Sequence, residues 1–364
     1  MIRNPFPDAF GLEISDLSIK LVQLQPTNIF NRRSLKVKEI RTAKLPAGFI
    51  VNGEIQQPEL VRQKLLYLLG KDQKSKYKKI KIPWVVASLP EVKTFLKLIE
   101  VEINPDEINE SDVMYQAKKH LPFELEDAYL KWQLVGPKDQ KNSKVLIGAV
   151  PKITADSYTY LLDSIGLMPI DLEIEAISLA RAMITSDKNY IDEARALLDL
   201  GATRSGLIIY DNNTIQFSTS LNYSGEIIDT AIAQELKITH QAAEELKIKN
   251  GVRYQGKDKQ NIKYIKIISR LNNQLVADLK TTMEFYSEHF SGHNTINHIT
   301  MSGGMANWSG LDNFLSAKLK ISSHPGDAWK NLGNEKEKYD RAQGVSLAAA
   351  IGLALRASQR PFVI

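Results

Sequence analysis

One short hairpin near the start of the chain carries side chains that could bind a phosphate. In the stretch FGLEISDLSIKLVQL (10–24), the turn and its flanks contain Glu13, Ser15, Asp16, Ser18 and Lys20. A hairpin turn more often uses Gly or Asn, and a lysine in the middle of an apolar strand is unusual. We interpret this cluster as a site for a nucleotide phosphate, or as the degenerate remnant of one.

Four further segments carry residue types that suit the remainder of a nucleotide site. Glycines at a strand end, at a helix start and between a strand and a helix let the backbone approach a ligand closely. A Glu and a Lys three residues apart lie on one helical face. In chain order these segments contribute Asp199, Gly201, Ala202 and Thr203; Gly225 and Glu226; Glu244 and Lys247; and Gly303, Gly304, Met305 and Asn307.

These segments need a scaffold that brings two halves of the chain together. Residues 10–45 are predicted to form three strands, followed by a helix over 57–70 and a buried strand over 84–90. The segment 194–225 repeats the three strands and the polar turn after the first of them. This internal repeat predicts an α/β fold of two duplicated domains, with the candidate site in the cleft between them.

The order of the predicted elements also gives domain limits. A second α/β unit interrupts the first domain, and the last predicted helix packs back on that domain. The predicted limits are 1–91 plus 172–193 for the first domain, 92–171 for the inserted unit, 194–340 for the second domain with about 238–270 as its smaller subdomain, and 341–356 for the last helix.

Composition and motifs exclude several other kinds of protein. The 364 residues contain no cysteine, which rules out disulfides, thiolate metal sites and a cysteine nucleophile. The sequence has no G-x-x-x-x-G-K-[ST] loop, no G-x-G-x-x-G fingerprint and no G-x-S-x-G elbow. No apolar run reaches the ~18 residues of a membrane span, so we expect a cytoplasmic protein without a signal peptide.

Two lysine-rich runs, 71–82 and 249–266, concentrate positive charge in a chain whose net charge is +5. Solvated loops near helix ends explain such runs, and a surface that faces anionic lipid is the alternative. Neither run is interleaved with a nucleic-acid-binding motif. We therefore expect no nucleic acid partner.

In their order and spacing, the five segments resemble the actin–Hsp70–sugar-kinase superfamily, whose two hairpins grip phosphates from opposite sides of a cleft. The first hairpin of that superfamily has the pattern acid-x-Gly-Ser/Thr-x-x-x-Lys. Here Glu13 and Lys20 match, whereas Ser15 and Asp16 replace the glycine and the hydroxyl. A carboxylate near a phosphate is repulsive by roughly 1–4 kcal/mol, so the substitution weakens the expected site.

Later segments continue the resemblance. The second hairpin keeps Asp199-x-Gly201 with Thr203, and AEELK and SGGMANWSGL are similar to the helix and the glycine turn on the adenosine side. Glu175, in EAISLARA, stands where the superfamily positions the attacking water. The inserted unit is shared by FtsA and by the PilM family of type IV pilus assembly. Within it, KHLPFELEDAYLKWQLVG resembles the corresponding stretch of PilM family sequences.

The resemblance implies an actin-like, ribonuclease H-like fold that binds ATP and Mg²⁺. Glu13 and Asp199 would hold the metal through water, and Glu175 would be the catalytic residue. Hydrolysis needs a precisely placed water, so weak or no ATPase activity is expected from the altered first hairpin. The alternative is a scaffold whose paired hairpins hold the cleft shut without nucleotide.

The resemblance also implies a partner. PilM-like proteins bind the cytoplasmic N-terminal peptide of a PilN-like single-span membrane protein, in a groove between the first subdomain and the inserted one, and connect it indirectly to pilus motor ATPases. This predicts a cytoplasmic scaffold, peripheral to the inner membrane through its partners, with self-association as a further possibility. An FtsA-like polymerising tether is the second interpretation, although the chain ends at ASQRPFVI soon after the last helix. A small-molecule kinase is the third.

Overall fold

The computed structural model describes residues 5–27, 35–136, 141–252, 259–333 and 338–358. Residues 253–258, which belong to the second lysine-rich run and to the predicted smaller subdomain, lie outside the described residues, as does the chain end 359–364. Two sheets with helices on their faces, and one two-stranded ribbon, form the architecture.

The predicted hairpin and the strands around it build the first sheet. A helix that starts with proline and stops before Gly70, at φ +68°, follows the ribbon. The elements of this part are β1 (Phe10–Ser15), β2 (Ser18–Pro26), β3 (Leu35–Lys44), the ribbon β4 (Ile50–Val51) and β5 (Glu54–Ile55), α1 (Pro58–Leu68) and β6 (Trp84–Leu89).

The predicted inserted unit follows, and the chain then returns to the first sheet. Asn109 and Asp112 form a capping box at the start of the helix over 110–117, which lies between the first two strands of this unit. The elements are β7 (Phe95–Val101), α2 (Glu110–Ala117), β8 (Ala128–Val135), β9 (Ser143–Pro151), α3 (Lys152–Asp163), β10 (Met168–Ile174) and α4 (Glu175–Met183).

The second half of the chain repeats the hairpin and adds more helix. Ser224 and Thr239 cap the first two helices through their hydroxyls. The elements are β11 (Ala194–Leu200), β12 (Ser205–Asp211), β13 (Thr214–Leu221), α5 (Gly225–Leu236), α6 (His240–Asn250), α7 (Lys259–His289), β14 (Ile296–Ser302), α8 (Leu311–Leu319), β15 (Ser322–Pro325), α9 (Arg341–Ser346) and α10 (Ala348–Ser358).

The predicted duplication is confirmed by the order of the strands. The first sheet has the order β10-β6-β1-β2-β3, and five strands of the second have the order β15-β14-β11-β12-β13. In both, an antiparallel three-stranded meander is followed by two strands parallel to its first strand. The two hairpins that carry predicted site residues therefore occupy equivalent positions.

The inserted strands extend the second sheet. Strand β7 meets β13 through one residue pair, Lys97 with Phe217, whereas seven pairs join β7 to β9. Strand β8 lies at the free edge. A cavity of about 390 Å³ lies at this junction, lined by residues of β7, β13 and α7. The connection between the inserted strands and the second sheet is thus narrow.

Two elements at the predicted end of the inserted unit contact the first sheet. Tyr158 and Leu162 of α3 are fully buried in the apolar core between α1 and the first sheet. Strand β10, within which the predicted limit at residue 171 falls, pairs in parallel with β6. The division of the chain into domains stays a prediction, and these two elements lie on the side of the first sheet.

The C-terminal helix packs back on the first domain through glycines. A Cβ added at Gly352 would lie 1.8 Å from the carbonyl oxygen of Ser178 in α4. A Cβ at Gly11 in β1 would lie 2.4 Å from the amide nitrogen of Ala354. Backbone contact this close leaves no room for a side chain, so α10 is held against both α4 and β1.

The single helix predicted over 341–356 is wrong in one respect. The segment forms two helices, α9 and α10, which are separated at Leu347, where φ is −106° and ψ is 7°. Gly344 of α9 lies so close to Trp329 that a Cβ would be 2.5 Å from the indole nitrogen. No described helix is both long enough and apolar enough to cross a membrane.

Candidate functional site

Two adjoining cavities, lined by both halves of the chain, bring together every predicted site residue except Asp16. The hairpin cavity, of about 210 Å³, lies between the ends of the β1–β2 and β11–β12 hairpins. Its lining includes Glu13, Ser15, Ser18, Lys20, Glu175, Asp199, Gly201, Ala202, Thr203, Gly303 and Gly304.

The helix cavity, of about 540 Å³, lies against α5 and α6 and shares Leu17, Ala202 and Gly304 with the hairpin cavity. It has a more apolar lining, which includes Ile248 and Trp308. The remaining predicted residues line it, namely Gly225, Glu226, Glu244, Lys247, Met305 and Asn307. The two cavities therefore lie side by side, one charged and the other more apolar.

Glycines allow the backbone to form the hairpin cavity. The amide of Gly201 donates to the carbonyl of Arg204 across the second hairpin, at 2.9 Å, and a Cβ at Gly201 would lie 2.5 Å from that oxygen. Gly303 has φ +83°, and its Cβ would lie 2.3 Å from the carbonyl oxygen of Leu200. Gly304 differs, since a Cβ there meets no atom within 4 Å.

Asp16 does not face the hairpin cavity, which corrects the expectation that its carboxylate would repel a phosphate there. Its two oxygens accept backbone hydrogen bonds from Asn52 and Gly53, each at 3.1 Å. The Tyr158 hydroxyl donates to the carbonyl of the same Gly53, at 3.1 Å. The turn without glycine is therefore held in place by the ribbon that follows β3.

Glu13 and Lys20 form a tight pair inside the hairpin cavity. The Lys20 ammonium lies 2.5 Å from Oε1 of Glu13, and the Ser15 hydroxyl donates to the same oxygen at 2.9 Å. Burial acts to lower the pKa of Lys20, but the charge and hydrogen bond of Glu13, together with the charges of Glu175 and Asp199, outweigh it and the pKa is raised. The cation that the family pattern provides for phosphate is thus already paired.

Lys247 is likewise paired within the helix cavity. Its ammonium lies 2.6 Å from Oδ2 of Asp229, and its backbone carbonyl accepts a hydrogen bond from the Trp308 indole at 2.9 Å. His240 lies 3.5 Å from Glu226 at the more exposed side. Sequence reasoning did not find Asp229, because that residue stands in a helix 18 positions before its partner.

Buried carboxyl groups give the hairpin cavity an unusual electrostatic character. Burial raises the pKa of Glu175 to about 8, against the opposing charge of Arg204. Burial also raises the pKa of Glu91 and that of Asp199, although the Ser302 hydroxyl donates to Asp199 at 2.8 Å. At neutral pH a carboxyl such as Glu175 is mostly protonated, so it can donate a hydrogen bond.

Arg204 is a residue of this cavity that sequence reasoning missed. Its guanidinium reaches from the second hairpin to the first domain, with Nη1 3.7 Å from Asp16 and Nη2 3.7 Å from Glu175. Nη1 is buried and has no hydrogen-bond partner among the described residues. The available signal is an arginine directly after Thr203 in LDLGATRSG (198–206), a position that the glycine pattern of the second hairpin does not include.

The predicted metal residues occupy the same cavity. Glu13 and Asp199 both line it, and Oε2 of Glu13 is a buried atom without a hydrogen-bond partner in the part of the chain that the structure describes. Within the described ranges, no group of three or more His, Asp or Glu side chains is placed to hold a metal by itself.

Comparison with known proteins gives a family match over almost the whole chain. The family model described as type IV pilus assembly protein PilM matches residues 11–358. None of the curated proteins compared with this chain matches it.

Solved structures with a similar fold include a PilM-PilN type IV pilus biogenesis complex, at 22% identity and a TM-score of 0.80, covering 98% of this chain and 100% of that one. The ethanolamine utilization protein EutJ from Carboxydothermus hydrogenoformans matches at 12% identity and a TM-score of 0.55, over 98% and 92%. MreB 5 of Spiroplasma citri bound to AMPPNP matches at 13% identity and 0.52, over 95% of each chain. The expected actin-like fold is confirmed.

Proposed function

This chain belongs to the PilM family of type IV pilus assembly proteins, and on that premise we propose that it is an actin-like scaffold of an inner-membrane pilus complex. It binds ATP in the cleft and the cytoplasmic N-terminal peptide of a PilN-like membrane protein. It lies in the cytoplasm, reaches the membrane through that partner, and connects indirectly to the motor ATPases. The family match over residues 11–358 carries this proposal.

The two adjoining cavities support nucleotide binding. The helix cavity, of about 540 Å³, suits a base and ribose because its lining combines apolar side chains with a few polar groups. The hairpin cavity takes the phosphates between two hairpins, with Lys20 and Arg204 as its cations. An MreB of the same fold is bound to AMPPNP, which favours the same use of the cleft here.

Mg²⁺ fits this arrangement as an ion that protein carboxylates and nucleotide phosphates would bind together. Mg²⁺ commonly binds one or two carboxylates together with waters and phosphate oxygens. Glu13 has a spare buried oxygen, and Asp199 lines the same cavity, so these two would hold the ion. When bound, it would neutralise phosphate charge, and the protein residues would orient it.

Slow or absent hydrolysis follows from the state of Glu175, the proposed catalytic carboxyl. A carboxyl whose pKa is raised to about 8 is mostly protonated at pH 7 and is then a poor acceptor for the proton of an attacking water. The cleft therefore serves binding rather than turnover.

An exposed apolar patch supports the site for the partner peptide. Ile153 and Tyr160 of α3 are 80% and 75% exposed, and Tyr129 of the edge strand β8 is 48% exposed. The Tyr129 hydroxyl donates to Asp156 of α3 at 3.1 Å, so the patch is continuous across the boundary between the inserted strands and α3. An extended peptide binds such a place by pairing with an edge strand and filling apolar pockets.

A nucleotide-free scaffold is the alternative, and the internal pairing of Lys20 with Glu13 and of Lys247 with Asp229 favours it. Titration of the full chain with a fluorescent ATP analogue, with and without Mg²⁺, distinguishes the ATP-binding scaffold from the nucleotide-free one. Gly304→Leu is the blocking variant, because Gly304 lines both cavities and a Cβ there meets no atom within 4 Å, which leaves open space for a larger side chain. Gly304→Ala is its matched control.

We expect the full chain and Gly304→Ala to bind, and Gly304→Leu to lose binding. Absence of binding by the unmodified chain at millimolar nucleotide would favour the nucleotide-free scaffold. Equal binding by the unmodified chain and both variants would place the nucleotide outside these cavities.

A further inference from the structure

We propose that Arg204 binds the terminal phosphate of the nucleotide in the hairpin cavity. The inference rests on the proposed nucleotide site and adds to it a residue that the hairpin pattern does not assign. Arg204 lines this cavity from the second hairpin, directly before β12.

The other cation of the cavity is already engaged. Lys20 lies 2.5 Å from Glu13, and Glu13 is only 3% exposed. If a phosphate bound Lys20 in place of Glu13, the buried Glu13 carboxylate would lose its countercharge, which is energetically costly. Lys20 is therefore better suited to hold the first hairpin together than to bind a ligand.

Arg204, in contrast, has unused hydrogen-bonding capacity. A guanidinium carries five N–H donors, yet its contacts with Asp16 and Glu175 are both 3.7 Å long and so are not hydrogen bonds. Nη1 is buried without a partner among the described residues. A buried unsatisfied donor is unfavourable, so a phosphate oxygen that satisfied the guanidinium would be stabilised.

The charges around Arg204 also leave room for an anion. Asp16 already accepts two backbone hydrogen bonds, from Asn52 and Gly53. Glu175, with its pKa raised by burial to about 8, is mostly neutral at pH 7 and does not cancel the charge of Arg204. Among the described residues, the carboxyl groups within 4 Å of the guanidinium are thus Asp16, which the two amides share, and Glu175. Glu91 acts on it from further away.

The shape of the Arg204 guanidinium also fits a phosphate. A guanidinium presents a planar fork that matches two oxygens of a phosphate. The Arg204 side chain is 17% exposed, so one edge of it reaches the cavity. Moving this fork onto a ligand breaks no hydrogen bond to Asp16 or Glu175, because neither contact is one.

Calorimetric titration of the full chain with adenosine, ADP and ATP, at pH 7 and constant Mg²⁺, tests the proposal. The variants are Arg204→Gln and, as matched control, Arg356→Gln. Arg356 is similarly buried, at 22% exposed, and pairs with Asp171 at 3.1 Å away from the cleft. We expect Arg204→Gln to weaken ATP binding by roughly 10- to 100-fold, the effect of one charge-assisted hydrogen bond, with adenosine affinity unchanged.

Three results decide between the possibilities. If Arg204→Gln keeps the unmodified ratio of ATP to adenosine affinity, Arg204 does not bind phosphate, although the nucleotide site stands. If the unmodified chain binds adenosine as tightly as ATP, no phosphate contact exists and the proposal fails. If the unmodified chain binds none of the three ligands, the nucleotide site itself is wrong, and this proposal fails with it.

A second variant keeps the test decisive if Arg204→Gln does not fold. Arg204→Lys retains the positive charge and removes the planar fork. We expect it to lower the ratio of ATP to adenosine affinity at least threefold, and an unchanged ratio would overturn the proposal.

Discussion

Nη1 of Arg204 lies 3.7 Å from the carboxylate of Asp16, and the two residues belong to equivalent hairpins of different sheets. The duplicated halves of the chain therefore meet at their hairpins through opposite charges. Asp16 is itself fixed by the amides of Asn52 and Gly53. The charged end of the cleft thus contains a buried contact between the Arg204 guanidinium of one hairpin and the Asp16 carboxylate of the other.

Lys20→Met should destabilise the chain strongly. The substitution leaves Glu13 buried at 3% exposure without its countercharge, and breaking a buried pair in this way costs about 3–5 kcal/mol. Urea unfolding measures the loss. The double variant Glu13→Gln with Lys20→Met removes both charges and should recover most of it, so a double variant as unstable as the single one would contradict the pairing.

The pKa of Glu175 predicts a pH dependence of stability. The carboxyl titrates near 4.5 when unfolded and at about 8 when folded, so the folded state holds the proton more tightly. Its contribution to stability is fully present below pH 4.5 and is lost as the pH rises through 8, by up to about 1.4 kcal/mol per pH unit.

Urea unfolding from pH 5 to pH 9 compares the unmodified chain with Glu175→Gln, which does not titrate. The stability of the unmodified chain relative to the variant should decline up to pH 8 and then level off. A flat difference for Glu175→Gln would mean that the carboxyl is already ionised in the folded protein.

Gly352→Ala should destabilise the attachment of the C-terminal helix. The added Cβ would lie 1.8 Å from the Ser178 carbonyl oxygen, so α10 must move away from α4. Overpacking of this kind costs about 3 kcal/mol, more than the ~1 kcal/mol that alanine gains in a helix. Gly304→Ala, which meets no atom within 4 Å, is the control, and equal unfolding free energies would contradict the close approach.

Ile153→Asp should weaken binding of a synthetic peptide that copies the N-terminus of a PilN-like protein from the same organism. A charge at a position that is 80% exposed leaves the fold intact but disrupts an apolar contact. Fluorescence anisotropy should show at least a tenfold loss of peptide affinity, which corresponds to about 1.4 kcal/mol of binding free energy. Ile191→Asp, at a site 54% exposed away from the patch, should bind normally, and equal affinities would place the peptide elsewhere.

Local pattern was sufficient to predict most of the secondary structure. The strand-turn-strand pattern over 10–24, and the helical spacing over 57–70 that ends at Gly70, predicted two strands and a helix that the structure contains. The repeat of the strand-turn-strand pattern near 199 predicted the duplication, and the strand orders bear this out. The break at Leu347 was not predicted, because the apolar pattern over 341–356 continues across it.

The same limit applies to the candidate site. Residue types and spacing predicted which segments would line the cleft. They could not predict that Asp16 accepts hydrogen bonds from a ribbon 36 positions later, or that Lys247 pairs with Asp229. Arg204 was overlooked for the same reason, since its importance lies in the groups of the other domain that face it.

The narrow connection between β7 and β13 has a mechanical consequence. A partner anchored in a membrane would pull on the inserted strands, and the load would pass along β8, β9 and β7 before it reached the second sheet. Seven residue pairs resist shear between β7 and β9, whereas only Lys97 with Phe217 does so between β7 and β13, beside a cavity. Of the seams between neighbouring strands along this path, the one between β7 and β13 has the fewest paired residues, so it offers the least backbone resistance to a pull on the inserted strands.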